Sequence, residues 1–258
     1  MSVALAEVGR RGRMSLVFAA QEGKTILEHA YCEVPFKVTR VLNSDGPFAH
    51  VMLMHCTAGL FGGDEIECSI RVGRGARVIL TQQSATKIHP SLGPPAIQRN
   101  HIYVDAEAEL ELYLEPVIPF AGSVLRQATH IDVAAGGRLV FWESLMAGRV
   151  GYGERWQFRE LSYETSLRSD GRLVYLDRFL LPNGLEHSAR VMGQATYVGT
   201  GLCVGTEVGR IAGSLHEAMP EAGVDVITNE VASIRVVATE GPELHRFRET
   251  FRLYSSAK

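Results

Sequence analysis

From about Ile66 onward, apolar and polar positions alternate, β-branched residues are frequent, and glycine or small residues punctuate the runs, a pattern that predicts strands joined by tight turns. One unit recurs. The run from Ile70 through Val72, Gly73, Gly75 and Ala76 to Val78 aligns with Ile102, Val104 and Leu110, and again with Ile131, Val133 and Leu139. A shorter echo at Leu167 to Leu173 carries the hairpin dipeptide Asp170-Gly171. The three starts are 32 and 29 residues apart, within the range of stacked-repeat architectures. An open solenoid of stacked two-strand coils satisfies this spacing, and so does a sandwich of hairpins.

The pattern changes near the end of the chain. Val208, Ile211, Ala212, Leu215 and Met219 have helical spacing closed by Pro220. Two strands follow, Val224 to Thr228 and Ser233 to Ala238. A last helix from about Pro242 to Tyr254 sets Leu244, Phe247 and Phe251 on one face. No linker rich in proline, glycine or serine divides the 258 residues, so a single domain is expected.

A hydrophobic content of 46% with 21% charged residues describes a folded protein, and a net charge of −3 gives no electrostatic reason to expect nucleic acid. The apolar run Leu16 to Ala20 is too short for a signal-peptide core or a membrane span, which predicts a cytoplasmic location. Cys32, Cys56, Cys68 and Cys203 form no Cys-x-x-Cys pair and are read as small buried apolar residues.

Phosphate-loop, dinucleotide-binding, nucleophile-elbow and zinc-protease motifs are all missing from the sequence. Metal-competent side chains are spread out instead: His55-Cys56, His89, His101, His130, His187, His216 and His245. Four acids lie within or beside apolar strands: Asp64, Glu115, Glu143 and Asp177. A carboxylate in such a place must be paired, hydrogen-bonded or wet. Two short segments are unusual. Gly59-Leu60-Phe61-Gly62-Gly63-Asp64 demands a tightly bent backbone that delivers a carboxylate to a fixed place, and Thr81-Gln82-Gln83-Ser84-Ala85-Thr86-Lys87 is polar except for Ala85. From the residues alone, Asp64 is either a turn cap or part of a wet interior, Ser84 and Thr86 can satisfy strand ends, and the bland reading of Asp177 is a local ion pair with Arg178, although adjacent strand residues point to opposite faces.

These two segments, together with Gly23 to Leu27, Glu111 to Gly122, Arg126-Gln127 and Phe141-Trp142-Glu143, resemble the urease accessory protein family UreD/UreH over roughly residues 16 to 200. Leu114, where the family usually has proline, and His89, where it more often has tyrosine, depart from its pattern. The resemblance implies an all-β-dominated, elongated β-helix-like stack of sheets with the two short helices at the C-terminal end. It implies a water-filled tunnel with Asp64, Ser84, Glu143 and Asp177 as tunnel-lining or transient nickel contacts. It further implies a non-catalytic scaffold with no permanently bound cofactor and with nickel as the transported ion. Its partners would be a UreF-like helical protein, a UreG-like GTPase and apo-urease, within a complex in which the scaffold is a homodimer. Two other readings compete: a glycan-active enzyme using Asp64 and Glu143 as paired carboxylates, and a purely structural β-repeat module.

Overall fold

The computed structural model describes residues 9–43, 47–182 and 192–256. Its recurring unit is a coil of two strands, one in each of two sheets. β6 (Glu65–Val72), β9 (Ala96–Val104), β12 (Val124–Val133) and β14 (Glu160–Ser169) stack in parallel, and β1 (Arg11–Gln21) extends the stack at β6. β2 (Lys24–Cys32) and β15 (Arg172–Pro182) close this seven-stranded sheet as antiparallel edges. In the facing sheet β5 (Ala49–His55), β7 (Arg77–Gln82), β10 (Glu109–Tyr113) and β13 (Arg138–Met146) are parallel. Antiparallel neighbours extend it: β3 (Phe36–Val38) and β4 (Leu42–Asn43) beside β5, and β16 (Tyr197–Val204), β18 (Val231–Ala238) and β17 (Gly223–Thr228) beyond β13. Short β8 (Thr86–Ile88) and β11 (Val117–Pro119) pair with each other beside β13.

The recurring sequence unit is therefore a solenoid coil, and a hairpin sandwich is excluded by the parallel pairing. Ile70, Ile102, Ile131 and Leu167 are direct neighbours in the first sheet, and Val78, Leu110 and Leu139 are neighbours in the second. Each intervening turn closes with the same hydrogen bond, Ala76 N–H to Gly73 O, Ala108 N–H to Asp105 O and Gly137 N–H to Ala134 O, at 2.9–3.1 Å. The residue before the last position has positive φ each time: Gly75 at 72°, Glu107 at 62° and Gly136 at 77°. Glycine meets that requirement at two of the three turns, and Glu107 adopts it as a side-chain-bearing residue.

Apolar side chains fill both ends of the gap between the sheets, with Phe18, Val72, Val104 and Val133 among the buried members. A second core lies on the outer face of the second sheet, where α1 (Val208–Ala218) and α2 (Gly241–Ser255) cover Val140, Trp142, Ile234 and Val236. Trp142 packs on Phe251 with ring centroids 5.5 Å apart. Strand β16 makes room for this layer with Gly199 and Gly201; a Cβ on Gly201 would stand 2.7 Å from both Ile234 Cγ2 and Phe251 Cζ. Gly201→Ala is expected to cost about 1–2 kcal/mol in chemical denaturation by overpacking the helix layer. No helix of the described residues is long and apolar enough to cross a membrane.

Candidate functional site

Stacking coils in register turns one sequence position into a row across the sheet, with adjacent members about 4.8 Å apart. Two residues before each repeat start the inward position is polar or a sulfur donor. Met14, Cys68, Asn100, Thr129, Thr165 and Asp177 are successive neighbours from β1 to β15, with Cys32 beside Met14 on β2. The row crosses all seven strands, roughly 29 Å. A second row two residues along contains Gln98, Gln127 and Tyr163. Asn100 Nδ2 donates to Thr129 Oγ1 at 3.0 Å, and Thr165 Oγ1 donates to Glu143 Oε1 of the facing sheet at 2.6 Å.

Two cavities open along these rows. The first, about 50 Å³, runs between the sheets past Met14, His55, Cys68, Asn100, Thr129, Gln127 and Glu143. The second, about 230 Å³, continues from Glu143, Ser144 and Tyr163 to Asp177 and Arg235. Glu143 thus lines both. Six buried side-chain polar atoms of the described residues have no hydrogen-bond partner, and five of them, His55 Nδ1, Gln98 Oε1, Gln127 Oε1, Ser144 Oγ and Tyr163 Oη, belong to residues lining the first cavity. Buried polar atoms are rarely left unpaired, and their concentration around one cavity marks it as the place where bound water would satisfy them.

Electrostatics differ along the path. Burial pushes the Glu143 carboxyl up to about 7, opposed by the Thr165 hydroxyl, so it titrates near neutral pH. Burial pushes the His55 imidazole down to about 4, leaving it neutral at physiological pH with one ring nitrogen free. At the far end Asp177 forms an ion pair with Arg235 of β18. Among the described residues no three His, Cys, Asp or Glu side chains form a group that could hold a metal ion.

The four sequence-derived candidates separate into two pairs. Glu143 and Asp177 share the second cavity, and Thr165 links them by pairing with Asp177 in register while donating to Glu143. Asp64 is elsewhere. Its Oδ1 accepts from Arg10 N–H and its Oδ2 from Phe61 N–H, both at 2.9 Å, so its carboxylate ties the first strand to the Gly62-Gly63 turn and lines neither cavity. The glycines serve this turn: Gly63 has φ 88°, and a Cβ on Gly62 would stand 2.0 Å from Ser91 Oγ. Ser84 is exposed at a bend, and its carbonyl accepts from Gln82 Nε2. Gln82 and Thr86 of the same segment line the first cavity.

Other expectations are met in part. Asp177 does not pair with Arg178; adjacent strand residues face opposite sides, and Arg178 bonds Glu164 at 2.8 Å instead. Glu115 is engaged by Arg248 of α2 at 2.6 Å. Cys68 and Cys203 are buried, whereas Cys56 is exposed and Cys32 half-buried. His89 stacks on Phe61 and bonds Ala58 O, a brace for the loop, and His130 bonds Ser166. His187 lies outside the described residues. A carboxylate pair of Asp64 with Glu143 for glycan chemistry is not formed, and Trp142 and Trp156 are both buried, leaving neither as a sugar platform.

A family profile described as "UreD urease accessory protein" matches residues 10–257. Among curated relatives, "Urease accessory protein UreD" of Deinococcus radiodurans is 33% identical over 246 residues, covering 94% of this chain and 88% of that protein. "Urease accessory protein UreD" of Cupriavidus pinatubonensis is 28% identical over 91% of this chain and 84% of its own length. "Urease accessory protein UreD 2" of Streptomyces griseus subsp. griseus is 32% identical over 83% of this chain and 76% of its own length. With the solenoid, the helix-covered sheet and the profile match over nearly the whole length in agreement, the chain belongs to the UreD family of urease accessory proteins, non-catalytic factors of urease maturation.

Proposed function

We propose that this chain is the scaffold through which nickel reaches apo-urease, carried along the polar gap between its two sheets. The observation that carries this reading is the placement of five unpartnered buried polar atoms in residues around one cavity. A dication cannot cross an apolar core, but waters and weakly held oxygen donors along a path receive it without trapping it. Glu143, shared by both cavities, is the central station, and Asp177 marks one end. Asp64 and Ser84 act here as supports of the wall, Asp64 through its turn and Ser84 through the carbonyl that holds Gln82.

In this function the chain works with a UreF-like helical protein and, through it, a UreG-like GTPase, as a homodimer within the cytoplasmic accessory complex. Exposed Leu173, Leu176 and Leu180 on edge strand β15, and Leu253 and Tyr254 on α2, supply apolar surface for such contacts. Coexpression with urease subunits and nickel tests the conduction role when a variant blocks the gap while gel filtration shows the accessory complex intact.

A further inference from the structure

We propose that Arg235 is a competitor cation built into the Asp177 end of the gap: its guanidinium holds the Asp177 carboxylate, and a metal dication must displace it to occupy that carboxylate. The inference rests on the conduction reading above and adds what limits metal binding at this end. Asp177 is the last member of the polar row in the first sheet. Arg235 is the last side chain of the facing row, reached from Glu143 through its neighbour Thr200, with only Gly223 of β17 beyond it. The two residues belong to different sheets, and their ion pair spans the gap where the second cavity ends.

The two carboxylates of this cavity have different company. Glu143 is held by neutral donors, the Thr165 hydroxyl and, at 3.5 Å, the Gln127 amide. Asp177 is held by a full positive charge. The Asp177–Arg235 side chains keep 26% and 43% of their surface, so the pair is partly open to water and a competing cation can reach it. A monovalent guanidinium on a long stem yields to a divalent ion, yet while seated it lowers the affinity of Asp177 for any cation. Cargo arriving there is consequently bound loosely and released readily, as a conducting path requires.

Equilibrium dialysis of the purified full chain against Ni²⁺ alone, at low ionic strength and pH 7.5, tests this without urease present. Arg235→Gln is expected to bind one Ni²⁺ roughly five- to tenfold more tightly than wild type. Arg235→Lys should stay near wild type, and the gain should vanish in Arg235→Gln/Asp177→Asn. Arg235→Met serves as the neutral substitute if the glutamine variant melts early by circular dichroism. Unchanged affinity in the neutral variants, or a gain that persists without Asp177, overturns the proposal. Because dialysis reads binding at Asp177 and urease maturation reads delivery, failure here leaves the conduction reading standing, and failure of delivery leaves this measurement intact.

Discussion

Asp64→Ala is expected to cost about 2–3 kcal/mol of folding stability, because it strips the acceptor from two backbone N–H groups at once. Arg10 and Phe61 each donate to one oxygen of this buried carboxylate. Asp64→Asn retains one good acceptor oxygen and should lose about half as much. Urea denaturation of the three proteins checks the order. If Asp64 instead contacted the transported ion, the alanine variant would keep its denaturation midpoint and lose urease maturation; the turn role expects maturation to fall only as far as the folded fraction falls.

Glu143→Gln carries the other large effect, with a sign set by linkage. The folded-state carboxyl is raised to about 7 from its ordinary value of 4.5 by burial. Between those values the folded chain holds a proton that the unfolded chain has released. The contribution of Glu143 to stability is thus fully present below pH 4.5 and is lost as pH rises through 7. Glutamine removes this dependence while keeping an acceptor for Thr165. The stability difference should move in favour of the variant by about 2–3 kcal/mol between pH 4.5 and pH 8, and level off above. His55 has the opposite sign: its folded-state value near 4 lies below the ordinary 6.5, so its contribution is present above pH 6.5 and is lost as pH falls through 4. The two slopes oppose one another from pH 4.5 to 6.5, which is why the difference between variant and wild type, rather than either curve alone, isolates Glu143. A difference that stays constant with pH would mean that Glu143 ionises as freely as in water.

Much of the fold could be read from the repeat, because Ile70, Ile102 and Ile131 mark positions that a solenoid must stack, and they do stack. Periodicity alone left a hairpin sandwich open, since the number 30 fixes the length of a coil but not whether neighbouring strands run parallel. Both C-terminal helices followed from their apolar spacing. The site was only partly readable. Glu143 and Asp177 stand out as acids in apolar strands, whereas their bridge Thr165 and its row neighbours Asn100 and Thr129 carry no charge or motif that marks them. The signal was present: each lies two residues before a repeat start, at a position whose side chain must face inward. Ser84 is a candidate on the family resemblance, and the uniformly polar run hides that the bend at Gln83-Ser84 breaks the alternation and sets Ser84 apart from Gln82 and Thr86. Arg235 was out of reach, since it arrives on an antiparallel return strand beyond the repeats and meets Asp177 only in three dimensions.

The central claim is that a dication moves along the polar row between the sheets, and the nickel content of urease matured with Thr129→Leu tests it most directly. Thr129 is fully buried in the middle of that row, and leucine there makes an apolar constriction that a hydrated ion cannot pass, whereas Thr129→Ser keeps the hydroxyl. With the accessory complex shown intact by gel filtration, the leucine variant is expected to leave urease with less than about a tenth of its nickel and the serine variant with most of it. Full nickel loading through the leucine variant would contradict the account.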